Sequence, residues 1–373
     1  MSLFVLDQVV LNNLIYNLIK DGYDVIGPVI KDGVILLDSI KDLKRHPAGV
    51  TDLQAPGKYR TEKIQENRIF GFNNGPDSWK KYLFPPEKII FKAKKNPEGE
   101  IEFSTDSTPL NKYAFFGVRS CELEAIKIHD AVLKDGSFPD QFYSDLRKES
   151  LFIAVNCTVS SDTCFCASMN TGPEVKNGYD VVLTEIIENG KSIIIAESGS
   201  GKGKSILEAL APMAASENQI QESRKAVASV STKQKRSINI ESVRKLLKTK
   251  IASNLFDTIS EKCMTCSNCT MVCPTCFCYN IEDTTDITGE TASRVRKWDS
   301  CFCENFSYIH GGKIRESKKS RYRQWLTHKL TNWFDQFGSS GCVGCGRCIS
   351  WCPAGIDITE SAAVFLESVE GKT

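Results

Sequence analysis

Apolar residues at Val5, Val9, Val10, Leu14 and Leu18 recur at helical spacing, which predicts an amphipathic helix near the start of the chain. From there to about residue 110 the pattern breaks into short strand-like runs at 25–30, 34–37 and 89–92. Turn signals at Asp32-Gly33, Gly75-Pro76 and Pro85-Pro86 separate these runs. From residue 112 the pattern changes. An apolar strand is expected at 113–118, then a helix at 121–133 with Leu123, Ile126 and Ile128 as its apolar positions. Further strands are expected at 151–155, 181–184 and 192–195. Strands alternating with helices predict an α/β unit built on a partly parallel sheet, with functional residues on the loops leaving its strands. Residues 214–239 are short on large apolar side chains and read as a linker or a surface helix. A basic helix at 242–250, with Val243, Leu246 and Leu247 on one face, leads into a last segment dominated by cysteine.

Composition narrows the class. The chain has 373 residues, 41% hydrophobic and 25% charged, which is the profile of a folded soluble protein. Its 47 basic and 46 acidic side chains leave a net charge of +1, too little for nucleic-acid binding through a large uniform positive field. The 16 cysteines would be disulfides in a secreted chain and metal ligands in a cytosolic one. The first apolar stretch contains Asp7 and lacks both an early basic patch and a small-residue cleavage site, so no signal peptide is expected. No run approaches the roughly 18 apolar residues of a membrane-spanning helix. A reducing, cytoplasmic setting follows as the expectation, with thiols acting as ligands and no membrane partner.

Cys263, Cys266, Cys269 and Cys273-Pro274 form a C-x2-C-x2-C-x3-C-P run, and Cys342, Cys345, Cys348 and Cys352-Pro353 form a second. This is the bacterial-ferredoxin pattern for [4Fe–4S] clusters, in which the fourth cysteine ligates the other cluster. Three thiolates within seven residues wrap three corners of a cube from one tight loop, and the fourth leaves that loop. The crossing assigns Cys263, Cys266, Cys269 and Cys352 to cluster one, and Cys342, Cys345, Cys348 and Cys273 to cluster two. Zinc knuckles fit less well, because their C-x2-C units come as isolated pairs with a longer spacer. Gly344 and Gly346 suit a loop whose N–H groups approach the sulfurs. Two adjacent cubanes without an open coordination position conduct electrons. The fold class expected is therefore an α+β or α/β N-terminal domain (1–212), a linker with a basic helix (213–253), and an α-helical ferredoxin-like two-[4Fe–4S] domain (254–373).

Eight cysteines remain. Cys121, Cys157, Cys164 and Cys166 fall on loops after the 113–118 and 151–155 strands, where strand ends on one sheet edge converge. Four thiolates there favour a third [4Fe–4S] cluster over inert buried thiols, with Arg119 placed to offset its negative charge. Cys276, Cys278, Cys301 and Cys303 form two C-x-C pairs between the ferredoxin runs. They are either thiols surrounding the ferredoxin clusters or a further metal site, and their spacing leaves both open. The stretch from Glu197 to Ser205 looks like a phosphate loop but has Ser198 where the motif needs glycine, so a flexible turn is expected. Residues 294–330 carry ten basic against three acidic side chains. Charge compensation beside the clusters, or docking of an acidic partner, accounts for that excess better than nucleic acid does. His46, His129, His310 and His328 show no metal spacing and read as satisfied structural histidines. No Ser/His/Asp set, H-E-x-x-H motif or Rossmann glycine fingerprint is present.

The chain resembles the iron–sulfur β subunit of cytosolic bidirectional [NiFe] hydrogenases of the sulfhydrogenase type, a family that includes the electron-feeding subunit of anaerobic sulfite reductase. The resemblance rests on Gln54-Ala-Pro-Gly57-Lys-Tyr59-Arg60, Leu83-Phe-Pro85-Pro86, Phe116-Gly-Val-Arg119-Ser-Cys121-Glu and Asp162-Thr-Cys164-Phe-Cys166-Ala-Ser-Met. It continues through Cys273-Pro-Thr-Cys276-Phe-Cys278, Trp298-Asp-Ser-Cys301, and the segment from Tyr322-Arg-Gln-Trp325-Leu-Thr-His328-Lys to Asp335-Gln-Phe-Gly338. It implies a non-catalytic subunit of a hetero-oligomeric oxidoreductase that relays electrons between a flavin subunit handling NAD(P)H and the hydrogenase small subunit. The hydrogenase small and large subunits are its implied partners, and the nickel–iron site would lie on another chain, since this one lacks the paired C-x-x-C motifs at two termini that such a site requires in that family. In the sulfite-reductase relative the same role would feed a sirohaem-type partner. An iron–sulfur regulator binding nucleic acid through 294–330 is the rival from a different class.

Overall fold

A computed structural model describes residues 3–105 and 110–370. Among these, the strands in chain order are β1 (Phe4–Leu6), β2 (Asp24–Lys31), β3 (Val34–Ser39), β4 (Val50–Ala55), β5 (Lys58–Lys63), β6 (Glu87–Lys95) and β7 (Ile101–Thr105). They continue with β8 (Tyr113–Arg119), β9 (Leu151–Val155), β10 (Val181–Glu188), β11 (Lys191–Ser198), β12 (Met213–Ala214), β13 (Tyr279–Thr285) and β14 (Thr291–Trp298). The main sheet runs β12-β1-β11-β10-β9-β8-β2-β3. Its centre, from β2 through β8 and β9 to β10, is parallel, and its flanks are antiparallel. All five residues of β9 are buried, as a strand covered on both faces requires. Because β8 and β9 run parallel, the loops that follow them leave the same end of the sheet, bringing Cys121 and Cys157 to one place.

The first helix is Gln8–Lys20, and Asp7 caps it by accepting a bond from the Val10 N–H at 2.8 Å. Its buried face is Leu11, Leu14, Ile15 and Leu18. Val5 instead belongs to β1, and Val9 points outward at 66% exposure, so the apolar stripe is offset from the expected one by a strand and a cap. The β2–β3 turn places Asp32 and Gly33 at φ 52° and 74°, the left-handed pair of a tight hairpin.

Residues 213–253 hold more structure than a linker. Ser216 and Gln219 form a capping box for the helix Glu217–Lys233, which lies against β10 and β11 with Val227 and Val230 buried. The basic helix spans Ile240–Thr249, with Val243 and Leu247 fully buried. The segment after 253 departs from an all-helical expectation, because β13 and β14 form a hairpin that pairs with β6, giving the order β13-β14-β6-β7. Strand pairing thus runs from the cysteine-rich segment into the first hundred residues. No helix among the described residues is long and apolar enough to cross a membrane.

The glycine-rich 197–205 segment is no flexible turn. The helix Gly201–Ala209 begins there, capped by its own Ser200, whose hydroxyl accepts from the Gly203 N–H at 3.0 Å. A Cβ on Gly203 would lie 1.7 Å from the Asp180 carbonyl oxygen, so glycine there serves helix-on-strand contact. Gly203→Ala is expected to cost about 1–3 kcal/mol by forcing that contact apart. A fall in the thermal unfolding midpoint checks it, and an unchanged midpoint would contradict the packing role.

Candidate metal centres

The two ferredoxin-type runs fold alike. In the first, Thr265 and Ser267 have φ of 51° and 67°; in the second, the matching positions Gly344 and Gly346 have 63° and 77°. These left-handed residues curl each loop so that three cysteines face inward and backbone donors reach sulfur. Thr265 N–H lies 3.4 Å from Cys263 Sγ, and Gly344 N–H lies 3.5 Å from Cys342 Sγ. Only the second loop needs glycine. A Cβ on Gly344 would sit 2.7 Å from the backbone between Phe165 and Cys166, and one on Gly346 would sit 2.4 Å from the Thr163 oxygen. The second run is therefore pressed directly onto the 163–166 loop.

Cys263, Cys266, Cys269 and Cys352 line one hollow of about 430 Å³, with Phe302, Tyr322 and Trp325 as its apolar wall and Cys348 at its edge. Cys342, Cys345, Cys348 and Cys273 form the adjoining set, in which Cys348 neighbours the other three and also Cys269. Lys329, buried, donates from Nζ to Cys273 Sγ at 3.1 Å and to Thr275 Oγ1 at 3.0 Å. A hydrogen bond from Cys276 draws the Cys273 thiol well below its ordinary range. Burial opposes this, and the Lys329 charge reinforces it.

Cys121, Cys157, Cys164 and Cys166 line a second hollow of about 430 Å³, together with Asn74, Arg119, Gln234, Cys345 and Arg347. Cys121 stands in the first turn of the helix Ser120–Leu133 after β8, and the other three follow β9. Gln234 donates to Cys166 Sγ at 3.1 Å. Burial, then the neighbouring Cys345 and Cys166, push the Cys121 thiol well above its ordinary range. Arg119 donates through Nη2 to the Phe72 carbonyl at 2.7 Å, while its buried Nε and Nη1 have no hydrogen-bond partner. A guanidinium with two unspent donors beside four thiols, Cys166 buried and the other three half-buried, fits a negatively charged, thiolate-ligated group.

Residues 262–356 match the family model described as a 4Fe–4S dicluster domain. Over 281 residues the chain is 31% identical to sulfhydrogenase 2 subunit beta of Pyrococcus furiosus, covering 74% of this chain and 79% of that protein. The chain belongs to the hydrogenase β-subunit family of iron–sulfur proteins. No solved structure matches it.

Within this iron–sulfur protein the remaining thiols sit against the ferredoxin-type sets. Cys276 contacts Cys273, and Cys278 contacts Cys301, which in turn neighbours Cys269. Cys303 lies 3.6 Å from the Ser267 hydroxyl, on the first cysteine loop. Among the described residues no three His, Cys, Asp or Glu side chains close on one point as a lone ion requires. The histidine reading needs a correction at His46: both ring nitrogens are buried without a hydrogen-bond partner, among Phe70, Phe72 and Phe116. Burial, then the Arg119 charge, lowers its pKa to about 3, so it stays neutral. His129 likewise has an unpartnered Nε2 and a pKa of about 3, from burial first.

Sequence reasoning missed the polar frame. Glu122, next to Cys121, accepts from Arg347 Nη2 at 2.6 Å, Trp79 Nε1 at 2.8 Å, Asn74 Nδ2 at 2.5 Å and the Arg119 N–H at 3.1 Å. Its one advance signal is a carboxylate at the residue next to Cys121, in the first turn of the helix. Gln54 forms a second frame: its Oε1 accepts from Ser350 Oγ at 2.5 Å and from Thr163 Oγ1 at 3.3 Å, clamping the second run to the third cysteine loop. Glu122→Gln should cost about 3–5 kcal/mol by leaving Arg347 buried without its counter-charge. Chemical denaturation measures it, and a loss under about 1 kcal/mol would contradict the role given to this pair.

Proposed function

We propose that the chain is a relay of three [4Fe–4S] centres in series, held by Cys263, Cys266, Cys269 and Cys352, then Cys342, Cys345, Cys348 and Cys273, then Cys121, Cys157, Cys164 and Cys166. The observation that carries this reading is the position of the second run. Cys348 lines the hollow of the first set and Cys345 lines that of the third, so one seven-residue loop touches both neighbours. When bound, the clusters supply one-electron carriers at fixed positions. The chain's part is to hold the thiolates, exclude water with Phe302, Tyr322 and Trp325 on one side, and balance charge with Arg119, Lys329 and Arg347 on the other.

The family and the name of the P. furiosus relative support a place in a multi-subunit hydrogenase. In our reading the chain stands there between a flavin subunit using NAD(P)H and the hydrogenase small subunit, with the nickel–iron chemistry on another chain. Supply of electrons to an anaerobic sulfite reductase is the alternative within the same chemistry. The nucleic-acid reading draws less support from the 294–330 stretch than its ten basic residues suggest. Arg296, Arg321 and Lys329 are buried there, the first two beside Asp140 and Glu304 and the third on Cys273, so they present no charge to a phosphate backbone.

Anaerobically purified full chain should carry about twelve iron atoms and as much acid-labile sulfide. About eight would remove the third centre, and none would sink the relay altogether. Cys269→Ser should abolish one cluster's EPR signal while the others persist, and unchanged iron and sulfide would refute the ligand assignment. The chain alone should lack NAD(P)H-dependent diaphorase activity, since it has no nucleotide-binding fingerprint; robust activity would place the flavin here instead.

A further inference from the structure

A buried cation in a folded protein is matched by a carboxylate unless some other group supplies the negative charge. Among the described residues, the buried Arg347 has Glu122, Arg296 has Asp140 and Arg321 has Glu304, whereas the buried Lys80, Arg119 and Lys329 face thiols instead. Lys329 is 5% exposed and has no carboxylate partner among those residues. Its ammonium reaches Cys273 Sγ at 3.1 Å, and Thr275 Oγ1 at 3.0 Å holds it there. Thr275 is fixed in turn by donating to the Gly341 carbonyl at 2.8 Å.

The backbone of Lys329 is anchored to the same place. Its carbonyl accepts from the Gly341 N–H at 2.8 Å and from Ser340 Oγ at 3.2 Å, immediately before Cys342. The residue lies in the π-helical turn His328–Asn332, inserted between the helices Lys318–Thr327 and Trp333–Phe337. A π-turn adds a residue to the helical ladder and re-aims the side chains around it, a device found often at functional sites. Carbonyl and ammonium of one residue thus grip both segments of the second cysteine set: the Cys342 loop and the crossing ligand Cys273. Among the described residues no cation donates a hydrogen bond to a sulfur of the first set: Lys329 reaches Cys269 through its charge alone, and Lys318, whose charge acts on Cys263, is exposed.

A reduced [4Fe–4S] cluster carries one more negative charge than the oxidised one, shared onto its sulfurs. A buried ammonium hydrogen-bonded to a ligand sulfur stabilises that extra charge with little screening, and such bonds raise cluster potentials. We propose that Lys329 makes the second ferredoxin-type centre the electron sink of the pair, by raising its reduction potential above that of the first through the bond to Cys273. This rests on the reading that Cys273 ligates that centre. One electron enters and no proton moves, because the ammonium keeps all its protons in both states. The relay is then downhill from the Cys263–Cys269 loop toward the middle of the chain.

EPR-monitored redox titration of the anaerobically purified full chain tests this. In the wild type the two ferredoxin-type signals should titrate apart. Lys329→Met and Lys329→Gln should each shift one signal's reduction equilibrium at least tenfold toward the oxidised form, which is 59 mV for one electron. Lys329→Arg should restore it, and the other signal, which Lys329 reaches through its charge at Cys269 but not by a hydrogen bond, should shift less in the Met and Gln variants. Two intact signals with unchanged potentials in Lys329→Met overturn the proposal and leave the relay standing. Loss of the second centre from all three variants also overturns it, in favour of a purely structural lysine. A wild-type chain with no iron–sulfur signals removes the relay and this proposal together.

Discussion

Glu122 is the point on which the arrangement turns. Its carboxylate is 1% exposed at the residue level and accepts four hydrogen bonds, from Arg347, Trp79, Asn74 and the Arg119 backbone. These donors come from the second cysteine run, from the 73–79 segment, and from the end of β8. Removing a carboxylate from water is costly, and only such a saturated set of donors, one of them charged, offsets that cost. The pairing fixes Arg347, and Arg347 sits between Cys345 and Cys348. A carboxylate on the α/β half therefore sets the position of a cysteine loop far along the chain. The glycines at 344 and 346 let that loop come within backbone contact of residues 163–166, and Gln54 with Ser350 and Thr163 holds the other side.

This frame explains why the chain carries a sheet at all. A ferredoxin-type pair of runs can hold its own eight thiols, but the third set needs two parallel strands ending side by side. β8 and β9 deliver Cys121 and Cys157 from the same sheet edge, and the loop that follows brings Cys164 and Cys166 back over them. The sheet supplies the third set and the buried contacts join it to the second.

Much of this was legible in the sequence, for physical reasons that also explain what was not. The two C-x2-C-x2-C-x3-C-P runs are local, so spacing alone carries their geometry, and β8, β9 and the helix after β8 announce themselves by continuous apolar runs. Lys329 was visible only as one basic residue among ten, because its partner Cys273 is 56 residues away. The Arg347–Glu122 pair spans 225 residues and leaves no local trace. The β13–β14 hairpin hid for another reason. It buries only Val295 and Arg296, so its sequence reads as polar loop, and its pairing with β6 is a tertiary decision. The helix Glu217–Lys233 was legible only as one of two readings, because its apolar face is narrow, with Ser223, Val227 and Val230 its buried positions.

The distribution of buried charge couples folding to metal binding. Lys80, Lys329 and Arg119 are buried without a carboxylate partner among the described residues, and each lies against thiols: Cys276 and Cys273 for Lys80, Cys273 for Lys329, Cys157 for Arg119. Burial holds Cys121, Cys164, Cys269 and Cys348 well above the ordinary thiol range, with neighbouring sulfurs adding to it. Cys273, which faces both lysines, is drawn below that range, but the neutral thiols around it and beside Arg119 add no counter-charge, and deprotonated thiols crowded together in a low-dielectric interior repel one another. Cluster ligation at the proposed sites would resolve both at once, because it would release the thiol protons, spread the charge over a cluster and give each cation an anion. On that proposal the cations are as much a part of the binding sites as the cysteines, and a chain that keeps its sixteen thiols but loses these three side chains should hold its clusters less firmly.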